Sequence, residues 1–377
     1  MKKVLASICA VAGLALAIPG AAAASAATSS RAAYTSVSGR LYGLTAISGS
    51  DAWAVGLTPN TSLIMHWNGS RWSQYLTTSG YFIGTAASSA RDVWAVGGTS
   101  WFSPVRPLAE HWNGSSWKTI ATPNPAGGGS LNAVTATSPR NAWAVGLAAP
   151  GGPGIPSPAT PLIEHWNGGK WAIQRDQVPA TGGEFTAVAA TSATNAWAVG
   201  HTGPVSEGSG QQTLIEHWNG RNWTRVPSPD AGTSNSLTAI TVISADNAWA
   251  VGYYAAANGT YRTLALYWNG RHWTQVPSET PGGDAQLLGV TASWTHNIWA
   301  VGYTNPTRCS NGGPQCRTLI MHWNGARWKV LPSPNPPSGY LNMLWDVSAV
   351  SRTNIWAAGT TDYGSTLIVH WNGSSWS

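Results

Sequence analysis

The sequence predicts an all-β fold, a seven-bladed β-propeller of four-stranded antiparallel blades with its ring closed by the N-terminal strand, and three observations predict it. A tryptophan in "AWAVG" or a close variant recurs as Trp53, Trp94, Trp143, Trp197, Trp249, Trp299 and Trp356. A second, in "WNG", recurs as Trp67, Trp112, Trp166, Trp218, Trp268, Trp323 and Trp371, and a third follows five residues on, as Trp72, Trp117, Trp171, Trp223, Trp273, Trp328 and Trp376. Seven units of roughly 50 residues have the size of propeller blades, and no segment past the leader combines helical period with helical length.

The leader comes first. Lys2 and Lys3 precede an apolar run over residues 4–18, and Ala24-Ser25-Ala26 offers an A-x-A cleavage site, so residues 1–26 read as a signal peptide. Residues 27–33 are then a short linker and 34–377 a single propeller domain. The expected product is secreted and extracellular, monomeric, with no membrane insertion after the signal is removed, and Cys9 leaves with the leader.

Each unit reads as four strands. In the fifth, "LTAITVIS" (237–244), "AWAVGYY" (248–254), "TLALYW" (263–268) and "HWTQVP" (272–277) are separated by turn residues, and Asn269-Gly270 is the dipeptide of tight hairpins in which both central residues accept positive φ. The last unit stops at Trp376-Ser377, where its fourth strand begins, while "YTSVSG" (34–39) ahead of the first unit lines up with the fourth-strand segment "WTRVPS" (223–228). The N-terminal segment is expected to complete the seventh blade and so remove two free sheet edges; a C-terminal truncation is the alternative.

On these residues the chain resembles known repeats. The hairpin "HWNGxxW" keeps the Gly-x-x-Trp end of the Asp-box hairpin, and its spacing from "AWAVG" resembles secreted bacterial Asp-box-type propellers, including those similar to photosystem assembly factors; kelch-like propellers match less closely. The chain departs from the Asp-box where Trp67, Trp112, Trp166, Trp218, Trp268, Trp323 and Trp371 stand in place of the Asp. The resemblance implies a fold that hosts sialidases, lactonases, quinone dehydrogenases, lectins and protein-binding platforms, and leaves function to the site.

The repeated aromatics read as scaffold, because each unit must bury a face against its neighbours. His66, His111, His165, His217, His322 and His370 recur once per unit with Tyr267 in the seventh place, which suits a hydrogen-bonded structural group better than a metal site, whose ligands converge on one point. Cys309 and Cys316 in "CSNGGPQC" are expected to form a disulfide that staples a loop. The 20 basic side chains less Lys2 and Lys3 leave 18 against 14 acidic, dispersed along the chain, so nucleic acid is a poor partner. No nucleophile elbow, zinc-protease helix, Ca²⁺ loop or phosphate-cradling loop occurs, and no metal or cofactor is implied.

Function is sought where the repeats differ. The step from the "AWAVG" Trp to the "WNG" Trp varies from 14 to 24 residues, and this connection and the fourth-to-first one share a face of the disc, whereas the other face is nearly uniform. The long loops supply Trp101, Phe102, Arg106, His201, Tyr253, Tyr254, Tyr261, Arg262, Tyr303 and Arg308. On the innermost strand one register reads Gly43, Gly84, Ala133, Ala187, Ala239, Gly289 and then Asp346, beside the non-repeat Trp345, so Asp346 is a channel-mouth candidate or a carboxylate satisfied by a backbone amide. The expected function is a secreted non-catalytic binding module, lectin-like or protein-binding, whose partner is an extracellular glycan or protein; the alternative is a carbohydrate-active hydrolase or lyase with its site at the channel mouth.

Overall fold

The computed structural model describes residues 37–75, 80–100, 105–149, 159–177, 182–203, 210–305, 316–336, 341–361 and 364–377. Blades 1 to 7 open with the inner strands Arg40–Ser48, Tyr81–Ser89, Gly129–Ser138, Gly183–Ser192, Ser234–Ser244, Ala285–Trp294 and Asn342–Ser351. Each pairs antiparallel with its "AWAVG" strand, that strand with the one ending at the "WNG" Trp, and in blades 1 to 6 the last with a short outer strand. Neighbouring inner strands pack side by side, and that of blade 7 packs beside that of blade 1, so seven blades make a closed ring.

Ring closure uses both ends of the chain. In blade 7, Trp376 bridges Trp371 and Ser377 exchanges backbone hydrogen bonds with His370, while further along the same third strand Ser38 bridges Ser365 and Gly39 N–H donates to Gly364 O at 2.7 Å. The fourth strand is therefore shared. The expected register, with Tyr34 in the outer-Trp position, is corrected: Trp376 fills that position, and Val37 lies opposite Thr366, where blade 4 sets Ser228 against Thr213. The reason is packing, since the Trp299 ring needs an indole edge there and Trp376 supplies it at 5.4 Å and 73°. Residues 34–36 lie outside the described residues.

The core sits between blades. Each second-strand Trp is met by the "WNG" Trp and the outer-strand Trp of the next blade: Trp143 lies 5.0 Å from Trp218 and 5.1 Å, edge on, from Trp223. The same trio recurs around the ring and returns at Trp356, which meets Trp67 and Trp72 of blade 1. The "WNG" rings are mostly half-buried, and Trp67, Trp112, Trp166, Trp218 and Trp268 donate their indole N–H to the turn between the first two strands of their own blade. The second-strand Trps carry the deepest burial, at 2 % exposure or less except for Trp356 at 6 %.

The "WNG" hairpin differs from the expected two-residue turn. Trp67 pairs with Trp72, which leaves a four-residue loop. Only its Gly has positive φ (+91° at Gly69), and Asn68 Oδ1 accepts the amides of Ser70 and Arg71. The Asn side chain thus closes the turn that its own backbone would otherwise have to close.

A bulge marks every inner strand at one register. Opposite it stands the Gly of "AWAVG", where a Cβ would meet the bulged strand's carbonyl oxygen at 1.8 to 2.0 Å. Only Gly lets the two backbones approach so closely. Gly146→Ala, whose Cβ would lie 2.0 Å from Ser130 O, is expected to cost more than about 2 kcal/mol in denaturant unfolding, against about 0.5 kcal/mol or less for a surface substitution such as Ser115→Ala.

Candidate functional site

The bulge builds the site. The residue it leaves out of the ladder is Tyr42, Ile83, Asn132, Thr186, Thr238, Leu288 and Trp345 in blades 1 to 7. All seven line one central cavity of about 510 Å³. The polar members fall together in blades 3, 4 and 5, and the apolar and aromatic members in blades 6, 7, 1 and 2, so the channel has a polar arc facing an apolar one.

The polar arc also ties blades together. Asn132 Nδ2 donates to Phe185 O at 2.9 Å, Thr186 Oγ1 to Leu237 O at 2.6 Å and Thr238 Oγ1 to Leu287 O at 2.8 Å, each reaching the next inner strand. Glu184 joins this arc and accepts from Asn132 Nδ2 at 3.4 Å. It precedes the bulge residue by two positions, toward the variable-loop end of the inner strand. On the apolar arc, Tyr42 and Trp345 meet edge to face at 5.2 Å across the junction of blades 7 and 1.

Asp346 takes both sequence-level readings at once. Its Oδ2 accepts Leu44 N–H at 2.8 Å and its Oδ1 accepts Val347 N–H at 2.7 Å, so it latches blade 7 to blade 1; Ser348 Oγ, accepting Ala46 N–H, does the same two residues on. It also lines the cavity. The carboxyl retains some contact with the channel lumen while protein encircles it, and this desolvation pushes its pKa up to about 7 against the two amides that hold it down. Burial likewise pushes Glu184 up to about 7, opposed by Asn132.

The loop candidates distribute over several blades. Arg106 is exposed, with its backbone N–H bonded to Thr99 Oγ1. His201 is buried with Nδ1 3.4 Å from Ser236 Oγ, and Tyr253 is buried edge on to Tyr261. Tyr254 and Arg262 face each other as partners in blade 5, and Tyr303 donates to Gln286 Oε1 at 2.8 Å. Trp101, Phe102, Arg308 and Cys309 lie outside the described residues, while Cys316 is buried. Of the candidates among the described residues, the channel brings together Trp345 and Asp346 alone. Glu184, Asn132, Tyr42 and the rest of the bulge ring were missed. The ring left a signal, because the position before Gly43, Gly84, Ala133 and their equivalents changes type in almost every repeat while its flanks repeat; Glu184, two residues before the bulge of blade 4, left none.

The repeated histidines are structural. His66 and His111 bond Asp51 and Asp92 (3.0 and 2.6 Å), His165, His217 and His370 donate to Asn141, Asn195 and Asn354 (2.8, 2.7 and 2.9 Å), and His322 pairs with Asn297. Each imidazole lies against its blade's second-strand Trp, as at Trp53 and His66, 4.0 Å apart. Desolvation lowers the pKa of His165, His217, His322 and His370, which keeps the ring neutral. In blade 5, where Tyr267 replaces His, Asn247 Oδ1 is buried without a donor. Among the described residues, no three His, Cys, Asp or Glu side chains gather as a metal would need.

Away from the channel, the third-strand glutamates turn into the blade junctions. Glu216 Oε1 accepts Gln177 N–H, six residues past the outer Trp of the preceding blade. The matching position one blade earlier is Pro123, which has no N–H, and both oxygens of the fully buried Glu164 lack a partner. Burial pushes Glu164 up to about 8 and, offset by the Gln177 bond, Glu216 up to about 7.

No family model and no curated protein matches the chain. Solved structures do. YCF48 bound to D1 peptide aligns at TM-score 0.56 and 15 % identity, over 90 % of this chain and 95 % of that one. The WD40 β-propeller domain of Doa1 aligns at 0.55 and 11 % (89 % and 94 %), and a PL25 polysaccharide lyase, an ulvan lyase bound to -[GlcA(1-4)Rha3S]-, at 0.55 and 9 % (90 % and 95 %). At such identities the likeness shows the fold alone, a seven-bladed propeller.

Tyr267→His is expected to give Asn247 Oδ1 its missing donor and raise stability by about 1 kcal/mol in denaturant unfolding. A carboxyl whose folded pKa lies above its ordinary value stabilises below the ordinary value and loses that contribution as pH rises through the folded one. Wild type is therefore expected to lose stability relative to Glu164→Gln between about pH 4.5 and 8, by up to about 4 kcal/mol, read as the difference of paired melts; a pH-independent difference refutes the burial of an unpartnered carboxyl.

Proposed function

We propose that the protein is a secreted, non-catalytic binding module that takes an extracellular glycan in the mouth of the central channel, framed by the variable loops. The observation that carries this is the two-sided channel ring. A sugar presents an apolar C–H face and a hydroxyl edge, and the channel offers Trp345 and Tyr42 on one arc against Glu184 and Asn132 on the other, with Asp346 beside Trp345. A cavity of about 510 Å³ is of ordinary ligand-site size. Secretion rests on residues 1–26, the Asp-box-like affiliation on the "HWNGxxW" repeat, and the Cys309–Cys316 staple on "CSNGGPQC", whose Cys316 is buried. His201, Tyr253, Tyr254, Arg262 and Tyr303, with Trp101, Phe102, Arg106 and Arg308, belong to the loop face in this reading.

One observation favours a second reading. Glu184 and Asp346 are two carboxyls in one cavity with pKa values near 7, and a carbohydrate-active hydrolase or lyase works with such a pair.

Purified residues 27–377 are to be screened on a glycan array and on insoluble cell-wall and plant polysaccharides, with released reducing sugar measured alongside. Retention without release, weakened about tenfold or more by Trp345→Ala, is the expected result. Release abolished by Glu184→Gln establishes the enzyme instead, and neither retention nor release moves the assignment to a protein partner.

A further inference from the structure

The uniform face of the disc carries a second set of features, and they do not depend on the channel reading. Folding gathers there a large share of the cations that look dispersed in the sequence. The first-to-second-strand turns present Arg91, Arg140 and Arg352, and the "WNG" hairpins present Arg71, Lys170, Arg221, Arg271 and Arg327. All are exposed, and each of the seven blades contributes at least one. The two turns of a blade abut, so that a Cβ at Gly114 would lie 2.7 Å from Arg91 Cγ and one at Gly168 2.8 Å from Arg140 Cγ. The turn acids Asp51 and Asp92 are bonded to His66 and His111, which leaves Asp246 as the exposed acid of these turns among the described residues.

The same face holds an unusual aromatic. Trp294 is 60 % exposed at the inner end of blade 6, where the other repeats have Ser48, Ser89, Ser138, Ser192, Ser244 and Ser351. Arg352 of blade 7 lies over its ring at 5.4 Å. Trp294 lines a groove of about 370 Å³ together with Thr241, Val242, Ile243, Ala292, Ser293 and Thr295.

We propose that this tight-turn face is a second binding surface and that it takes an acidic polysaccharide, with Trp294 stacking on a sugar ring and the arginines facing carboxylates along the chain. Charge complementarity sets the sign of the partner. The arrangement sets its kind: one flat aromatic beside hydroxyl-bearing side chains suits a sugar ring, a bilayer would ask for several apolar anchors, and a duplex would ask for a contiguous basic stripe.

The test is affinity electrophoresis of residues 27–377 in gels containing polygalacturonate, neutral xylan, single-stranded DNA or phosphatidylserine vesicles, at about 20 mM and about 500 mM salt. Two variants follow residues that other repeats carry at the same positions: Trp294→Ser, and the combined Arg71→Ser, Arg91→Thr, Arg140→Thr, Arg352→Ala. Wild type is expected to be retarded by polygalacturonate at low salt and released at high salt. The combined variant is expected to lose about tenfold or more of that affinity, and Trp294→Ser about fivefold with the salt dependence kept. Retardation by polygalacturonate that is lost in Trp345→Ala but kept in both face variants assigns the polyanion to the channel and overturns the proposal, which separates it from the channel reading. Equal retardation by xylan, full retention by both variants, or stronger retardation by DNA or vesicles overturns the proposal.

Discussion

Everything in this ring depends on one contact made seven times, a second-strand indole held between two indoles of the next blade. Each blade alone is a small sheet with a half-covered apolar face, and the trio supplies both the area to bury and the angle at which the next sheet must sit. Because the contact runs from each blade to its successor, from Trp143 to Trp223 and finally from Trp356 back to Trp72, it is complete only when the circle is. The shared fourth strand of blade 7 follows from this: Trp376 is held where the Trp299 junction needs it, and the N-terminal residues Val37 to Gly39 take the part of the strand that is left.

The scaffold was legible in the sequence because repetition turns a packing requirement into a spacing. Seven copies of each Trp, the last two always five residues apart, determine blade number, strand order and hairpin position, and the paired His and Asn or Asp residues follow the same rule. Blade 5 shows its converse: with Tyr267 the partner Asn247 is left without a donor, so the bond was a detail of the blade that a single exchange can delete. The hairpin was less legible, since "NG" names a tight turn without saying whether the Asn acts through its backbone or its side chain.

The candidate site was less legible still. Aligning inner strands by their small residues found Asp346 and passed over its neighbour in every other blade, because the variation at that position reads as a lumen-facing bulge only once the register is known. Glu184 was invisible for a different reason, as nothing local tells a strand-start carboxyl that faces a lumen from one that faces water. Charge failed in the opposite direction. Arginines spaced a repeat apart look scattered along the chain, yet one repeat period is one step from a blade to the next, so residues at the same place in successive repeats share a face of the disc.

The bulge separates two kinds of information. Residues in the ladder answer to their strand partners, to the Gly opposite and to the tryptophans behind them, and a change there is felt by a whole junction. The residue pushed out of the ladder answers to the lumen, and in blades 3 to 5 also to the next inner strand, as Tyr, Ile, Asn, Thr, Leu and Trp at one geometric position attest. The lumen is in effect a seven-letter word written on a fixed frame. A lineage can respell it one letter at a time while the frame stays legible to the folding chain, and so can an engineer who wants a different guest in the same ring.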